Sequence, residues 1–188
     1  LEIMDDQVRR LTRVVTDMFT LARSDTEKRP LIRSEFQLDR LVEECVRAAE
    51  VLGSRKGVDI TIDALKQTPY SGDEGLLRQL LLNLLDNAIK HTPAQGRISV
   101  GLMTRNSHHQ ITVSDTGEGI PQKAQPHIFE RFYRADKARS RNHPSEFGAG
   151  AGLGLSIAQW IAAQHGGQVE LLKSDNKGST FVATLRAN

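Results

Sequence analysis

The stretch DEGLLRQLLLNLLDNAIKHT, Asp73 to Thr92, constrains this chain more than any other. Asp73 is placed to cap a helix, and Pro93 cannot continue one. Between them Leu77, Leu80, Leu81, Leu84, Leu85, Ala88 and Ile89 would bury most of a helical surface. On the same period Asn83, Asn87, Lys90 and His91 fall at i, i+4, i+7 and i+8, a narrow polar stripe on an apolar rod. Two amides, an ammonium and an imidazole buried without partners would each cost kcal/mol, so something polar has to face them. Solvent meets that demand as well as a ligand does, and the helix alone does not choose.

Charge and cysteine content remove several classes. The 25 basic and 23 acidic residues are dispersed, leaving +2 and no electrostatic footprint for nucleic acid. A single cysteine, Cys45, excludes a disulfide framework and a cysteine-rich metal cluster. No apolar run approaches the roughly 20 residues that span a bilayer. The 188 residues suffice for one core plus an appended element.

Leu1, Met4, Val8, Leu11, Val15, Met18 and Ala22 alternate spacings of three and four, the seam of a coiled-coil-like helix that needs a partner helix. The seam opens in mid-pattern on Leu1, as in a piece of a longer protein. Residues 24–30, SDTEKRP, read as a linker, dividing 1–26 from a globular domain over 31–188. Leu31 to Gln37 makes a short edge strand, and Leu38 to Leu52 an amphipathic helix with Cys45 in its apolar stripe. Val58 to Ile62 alternates as a strand, and Pro69 to Gly72 reads as a turn before the central helix. Arg97 to Thr104 and Gln110 to Asp115 pair around Asn106-Ser107. Pro121 to Tyr133 is short helix or irregular, and 135–148 a long polar loop, its 139–148 part expected to be mobile without ligand. Gly152 to Gln164 returns to helical period, and Gln168 to Lys173 with Ser179 to Arg186 closes as a hairpin. This order predicts an α+β two-layer sandwich.

Two glycine-rich stretches flank the loop region. Asp115-Thr116-Gly117-Glu118-Gly119-Ile120 follows a strand, offering a carboxylate acceptor and glycines that let a ligand approach backbone. Gly148 to Leu155, GAGAGLGL, opens a helix whose N-terminal N–H groups favour an anion. It is not a P-loop, because no Lys-Ser or Lys-Thr follows, and Leu155 breaks the dinucleotide fingerprint.

Taken in order, NLLDNAIKH, DTGEGI, FERFYR and GAGAGLGL resemble the N, G1, F and G2 boxes of the sensor histidine kinase ATP-binding domain. Gly178-Ser179-Thr180-Phe181 resembles the family's closing strand, and 1–24 its second dimerisation-hairpin helix. The resemblance implies a mixed sheet backed by three helices, with ATP and Mg²⁺ between the N-box helix and a lid. It assigns Asn87 to the metal with Asn83 beside it, Lys90 to phosphate, and His91 to the adenine or ribose. Asp115 would accept from the adenine amine with Thr180 in support, over a floor kept open by Gly117 and Gly119. Gly150, Gly152, Leu153 and Gly154 would close over the triphosphate, with Arg134 reaching in. The F-box aromatics Phe129, Phe132 and Tyr133 divide between core packing and docking.

The same resemblance implies γ-phosphate transfer to a histidine on the first hairpin helix, and relay to a response-regulator receiver domain. It further implies a homodimer through the N-terminal helix and a cytoplasmic domain of a membrane-anchored sensor. None of the chain's histidines carries the acidic and proline context of that acceptor, so residues 1–188 alone are not expected to autophosphorylate. A nucleotide-regulated binding module is the alternative. An ATP-hydrolysing relative is another, but its water-activating glutamate would stand where Asn83 does, and an amide is no general base.

Overall fold

The computed structural model describes residues 31–134 and 151–187. The heptad seam, the linker, the whole of the polar loop and Gly150 lie outside the described residues. The elements run β1 (Ser34–Gln37), α1 (Leu38–Lys56), β2 (Asp59–Ile62), β3 (Pro69–Gly72), α2 (Glu74–His91), β4 (Arg97–Arg105) and β5 (His108–Asp115). After a 3₁₀ turn at Gln125–His127 come α3 (Gly154–Gln164), β6 (Gln168–Asp175) and β7 (Gly178–Arg186).

Five strands form one mixed sheet in the order β2-β4-β5-β7-β6, and β1 and β3 pair antiparallel beside it. Among the described strands only β2 with β4 is parallel. Three helices back this sheet, so the two-layer α+β sandwich stands. Strand parity sorts the residues. Ile111 and Val113 of β5, with Phe181, Ala183 and Leu185 of β7, point into the helix layer and are buried. Ser114 and Thr180 face the other way, hydroxyl to hydroxyl at 3.0 Å. Along α2 the leucines are buried as their spacing predicts, from Leu77 to Ile89.

The local signals act where expected. Asp73 caps α2 by accepting from the Leu76 N–H at 3.1 Å, and Thr92 leaves the helix extended before Pro93. Asn106 and Ser107 both adopt positive φ, the pairing that a two-residue hairpin turn demands. Cys45 is buried in α1, and desolvation pushes its thiol up to about 11, so it is an inert core residue.

Two readings change. Pro69 to Gly72 is a strand rather than a turn, with Tyr70 opposite Phe36 of β1 and their rings edge-on at 5.8 Å. The second concerns where β5 begins: it starts at His108 rather than Gln110, so His109 joins its inward set, buried under Tyr70 with Nδ1 2.9 Å from the Thr104 hydroxyl.

His165 ties the ends of two helices together. Its Nδ1 lies 2.8 Å from the Ile161 carbonyl, which requires a proton there, and its Nε2 accepts from the Asp73 N–H at 3.1 Å. The neutral ring therefore satisfies both contacts, and burial lowers its pKa, as it does that of His109. With the folded values depressed, the unfolded chain takes up protons first as pH falls below about 6.5. Stability is therefore full above that pH and declines below it. Chemical denaturation at pH 7.5 and 5.5 should show the loss. His165→Leu should be less stable at pH 7.5 by about 1–3 kcal/mol, leaving the Asp73 N–H without its acceptor, and should show a shallower pH slope.

Candidate nucleotide site

Three segments distant in sequence meet at one end of the helix layer: the C-terminal half of α2, the loop after β5, and the start of α3. The α2 stripe sits beside Gly154, whose Cβ position lies 3.7–3.8 Å from atoms of the Asn83 side chain. Asn83 is thereby buried at 4% exposure, while Asn87 and Lys90 are half-buried and His91 is exposed. Leu153 is buried in the core, so any ligand contact from it falls to its backbone. Gly152 packs on the F-box backbone, accepting from the Phe132 N–H at 2.9 Å. No described side chain caps the N-terminus of α3.

Asp115 ends β5 with its side chain turned inward, in line with Ile111 and Val113, and is 8% exposed. Its Oδ1 accepts two backbone N–H groups, from Gly117 at 2.8 Å and Ser179 at 3.2 Å. Its Oδ2 takes no hydrogen bond from any described residue. Burial raises its pKa, and the two N–H donors and the nearby His91 oppose that rise. The loop is pressed against α2. A Cβ at Gly117 would land on the His91 carbonyl and 2.7 Å from Asp115 Oδ1, and one at Gly119, where φ is +71°, on the Asp175 carbonyl. A side chain at either position would have to push the loop off these carbonyls.

The expected supporting hydroxyl is corrected by register. Thr180 is the cross-strand partner of Ser114 on the outer sheet face. Ser179 is the partner of Asp115, and its hydroxyl meets Ser174 at 3.0 Å, which in turn accepts from the Ile120 N–H at 2.8 Å. Motif reading missed Ser179 and Ser174 because adjacent strand residues face opposite ways.

The stripe also holds a residue absent from the sequence reading. Asp86 accepts from Lys90 at 2.6 Å. His91 Nδ1 stands 3.4 Å from Glu118, and Lys56 donates to the Ile89 and Lys90 carbonyls, closing the end of α2. Arg134 is half-buried at the end of the described F-box segment. The F-box aromatics separate: Phe129 packs edge-on to Phe181 at 6.4 Å, Tyr133 lies against His127, and Phe132 is exposed.

Residues 72–188 match the family described as Histidine kinase-, DNA gyrase B-, and HSP90-like ATPase. The chain belongs to this family. Within it the likeness is to sensor histidine kinases. The sensor-like histidine kinase SenX3 of Mycolicibacterium smegmatis is 34% identical over 184 residues, 98% of this chain and 47% of its own length. The chain thus spans about half the length of the curated relatives it matches. The solved structure of full-length ShkA in complex with AMPPNP aligns at a TM-score of 0.79 and 28% identity, over 93% of this chain and 35% of that one. Histidine kinase ThkA in complex with response regulator protein TrrA shares the fold, with a TM-score of 0.75 at 23% identity over 96% of this chain and 49% of that one. The described unit is the ATPase-fold catalytic domain of the histidine kinase type. Among its helices none is long and apolar enough to cross a membrane.

Proposed function

We propose that this domain binds ATP with Mg²⁺ in the cleft between α2 and α3 and donates the γ-phosphate to a histidine on a dimerisation helix, for relay to a receiver-domain aspartate. The observation that carries the reading is the convergence at one cleft of a buried carboxyl with one open oxygen, a stripe of amides and a lysine, and a helix N-terminus. ShkA, a similar protein, is described with AMPPNP bound, and ThkA, which shares the fold, with a response regulator.

In this reading Asp115 Oδ2 accepts from the adenine amine, with Oδ1 held by Gly117 and Ser179, while His91 flanks the base or ribose. Gly150, Gly152, Leu153 and Gly154 line the phosphates through backbone N–H groups, and Lys90 and Arg134 add positive charge. The donor set fits Mg²⁺: Asn87 and Asn83 offer hard amide oxygens. No described group of three His, Cys, Asp or Glu side chains could hold a metal alone. Such a site needs phosphate oxygens to complete it, as is usual for magnesium. When bound, the cation offsets charge on the phosphate oxygens. The protein's share is to orient the phosphates, exclude water and leave the γ end open to an incoming imidazole. We further propose that residues 1–26 pair with a second helix in a homodimer, and that the domain lies on the cytoplasmic side of a membrane-anchored sensor.

Phosphotransfer tests this directly. Transfer needs an imidazole nitrogen in line with the γ-phosphate, within about 3–3.5 Å, beside a group that manages its proton. Of the described histidines, His109 and His165 are buried, His108 sits at the β4–β5 turn with Nδ1 2.8 Å from the Asn106 carbonyl, and His127 is bonded to Glu130 at 2.7 Å. His91 lies on the domain's own helix with its carbonyl against the loop. Residues 1–188 with γ-labelled ATP should therefore remain unlabelled, and a separate hairpin carrying an acceptor histidine should gain acid-labile phosphate. Labelling of 1–188 alone on histidine would contradict the proposal.

A further inference from the structure

We infer that Asp86 is a positioning residue that makes polyphosphate binding in this cleft conditional on a divalent cation. This rests on the nucleotide reading above and deepens it. Asp86 follows Asn83 by three residues, precedes Asn87 by one and Lys90 by four, so it flanks the polar stripe on the same side of α2. Its Oδ2 accepts from the Lys90 ammonium at 2.6 Å, and each side chain of the pair is only 23% exposed. An exposed i,i+4 pair of this kind on a helix is a minor surface contact. Here the pair is largely withdrawn from water, at the lip of the cleft where the amide oxygens stand, and the lysine it holds is the stripe's cation.

Charge then sets the order of events. A polyphosphate arriving without a cation meets a fixed carboxylate and must take Lys90 away from it. At the same end of α2, Lys56 donates to the Ile89 and Lys90 carbonyls and the His91 ring stands against Glu118, so Lys90 is the ammonium of the stripe that an arriving phosphate can take up. A polyphosphate arriving with a divalent cation brings the counter-charge that Asp86 needs once Lys90 turns to the phosphates. The carboxylate thus penalises the free anion and tolerates the metal complex. Neutralising it should remove the penalty without removing the site.

The test is displacement of a fluorescent ATP analogue from the whole 188-residue chain by ATP, once with magnesium and once with excess chelator. Asp86→Asn should bind metal-free ATP about 10-fold tighter than the unaltered chain, with affinity in magnesium changed by less than about 3-fold. The ratio of the two affinities should fall accordingly, while Asp86→Glu keeps it. Lys90→Met leaves the carboxylate unmatched and should steepen the ratio, a result that does not depend on the Asn variant folding. An unchanged ratio in Asp86→Asn, or an equal loss in both conditions, would overturn the role of Asp86 and leave the nucleotide site standing. If the unaltered chain displaces nothing even with magnesium, the nucleotide reading fails and this inference with it.

Discussion

Replacing Asp115 by asparagine should all but abolish ATP binding while leaving the domain at least as stable as before. The two effects have one cause. Asp115 is a carboxyl at 8% exposure whose pKa burial raises, so its ionised form is held at a cost in the folded state. A folded value above the unfolded one means stability is lost as pH rises through that range. Asparagine keeps an oxygen for the Gly117 and Ser179 N–H groups, which lie 2.8 and 3.2 Å from Oδ1. It removes the charge, so the melting temperature should hold or rise. Its –NH₂ then occupies the place of Oδ2, where two donors would meet if adenine presents its amine. Losing that charge-assisted bond and leaving polar groups unmatched should weaken ATP roughly 100-fold. Thermal melting beside nucleotide titration reads both effects. A variant that is destabilised yet still binds ATP normally would show that the carboxyl is structural.

What could be read beforehand was what short range determines. The ends of α2 were legible because Asp73 and Pro93 act within one turn, and the β4–β5 hairpin because Asn106-Ser107 accepts positive φ locally. The strand at Pro69 to Gly72 was not. Its partner β1 lies more than thirty residues earlier in the chain, and proline is tolerated there because the ribbon is an edge. Asp115 was found from its motif, but the identity of its neighbour was not, since choosing between Ser179 and Thr180 needs the β5–β7 register. Asp86 escaped notice because a stripe drawn through amides and cations excludes the one carboxylate beside them, until the 2.6 Å contact to Lys90 shows it belongs. The start of β5 was read two residues late for a related reason: its inward alternation begins at His109, before the apolar run that announces it.

The second large effect belongs to Asn87. It stands one turn from Asn83 on the cleft side of α2, half-buried, and its amide oxygen is the hard donor best placed for a cation shared with phosphate. Alanine keeps the helix, since it is the best helix former, and removes the oxygen. What should disappear is therefore the metal dependence, with folding and adenine recognition left in place. Removing an oxygen from a site of this kind weakens the metal-supported affinity by about 10–100-fold. The Asn87→Ala chain should then bind ATP equally weakly with magnesium and with chelator.

The measurement that bears most directly on the whole account is calorimetric titration of ATP into the unaltered chain and the Asn87→Ala chain, each with and without magnesium. The account predicts one nucleotide per unaltered chain, bound much more tightly with magnesium, and loss of that difference in Asn87→Ala. No magnesium-dependent binding by the unaltered chain, or undiminished metal dependence in Asn87→Ala, would contradict a nucleotide cleft built on the α2 stripe.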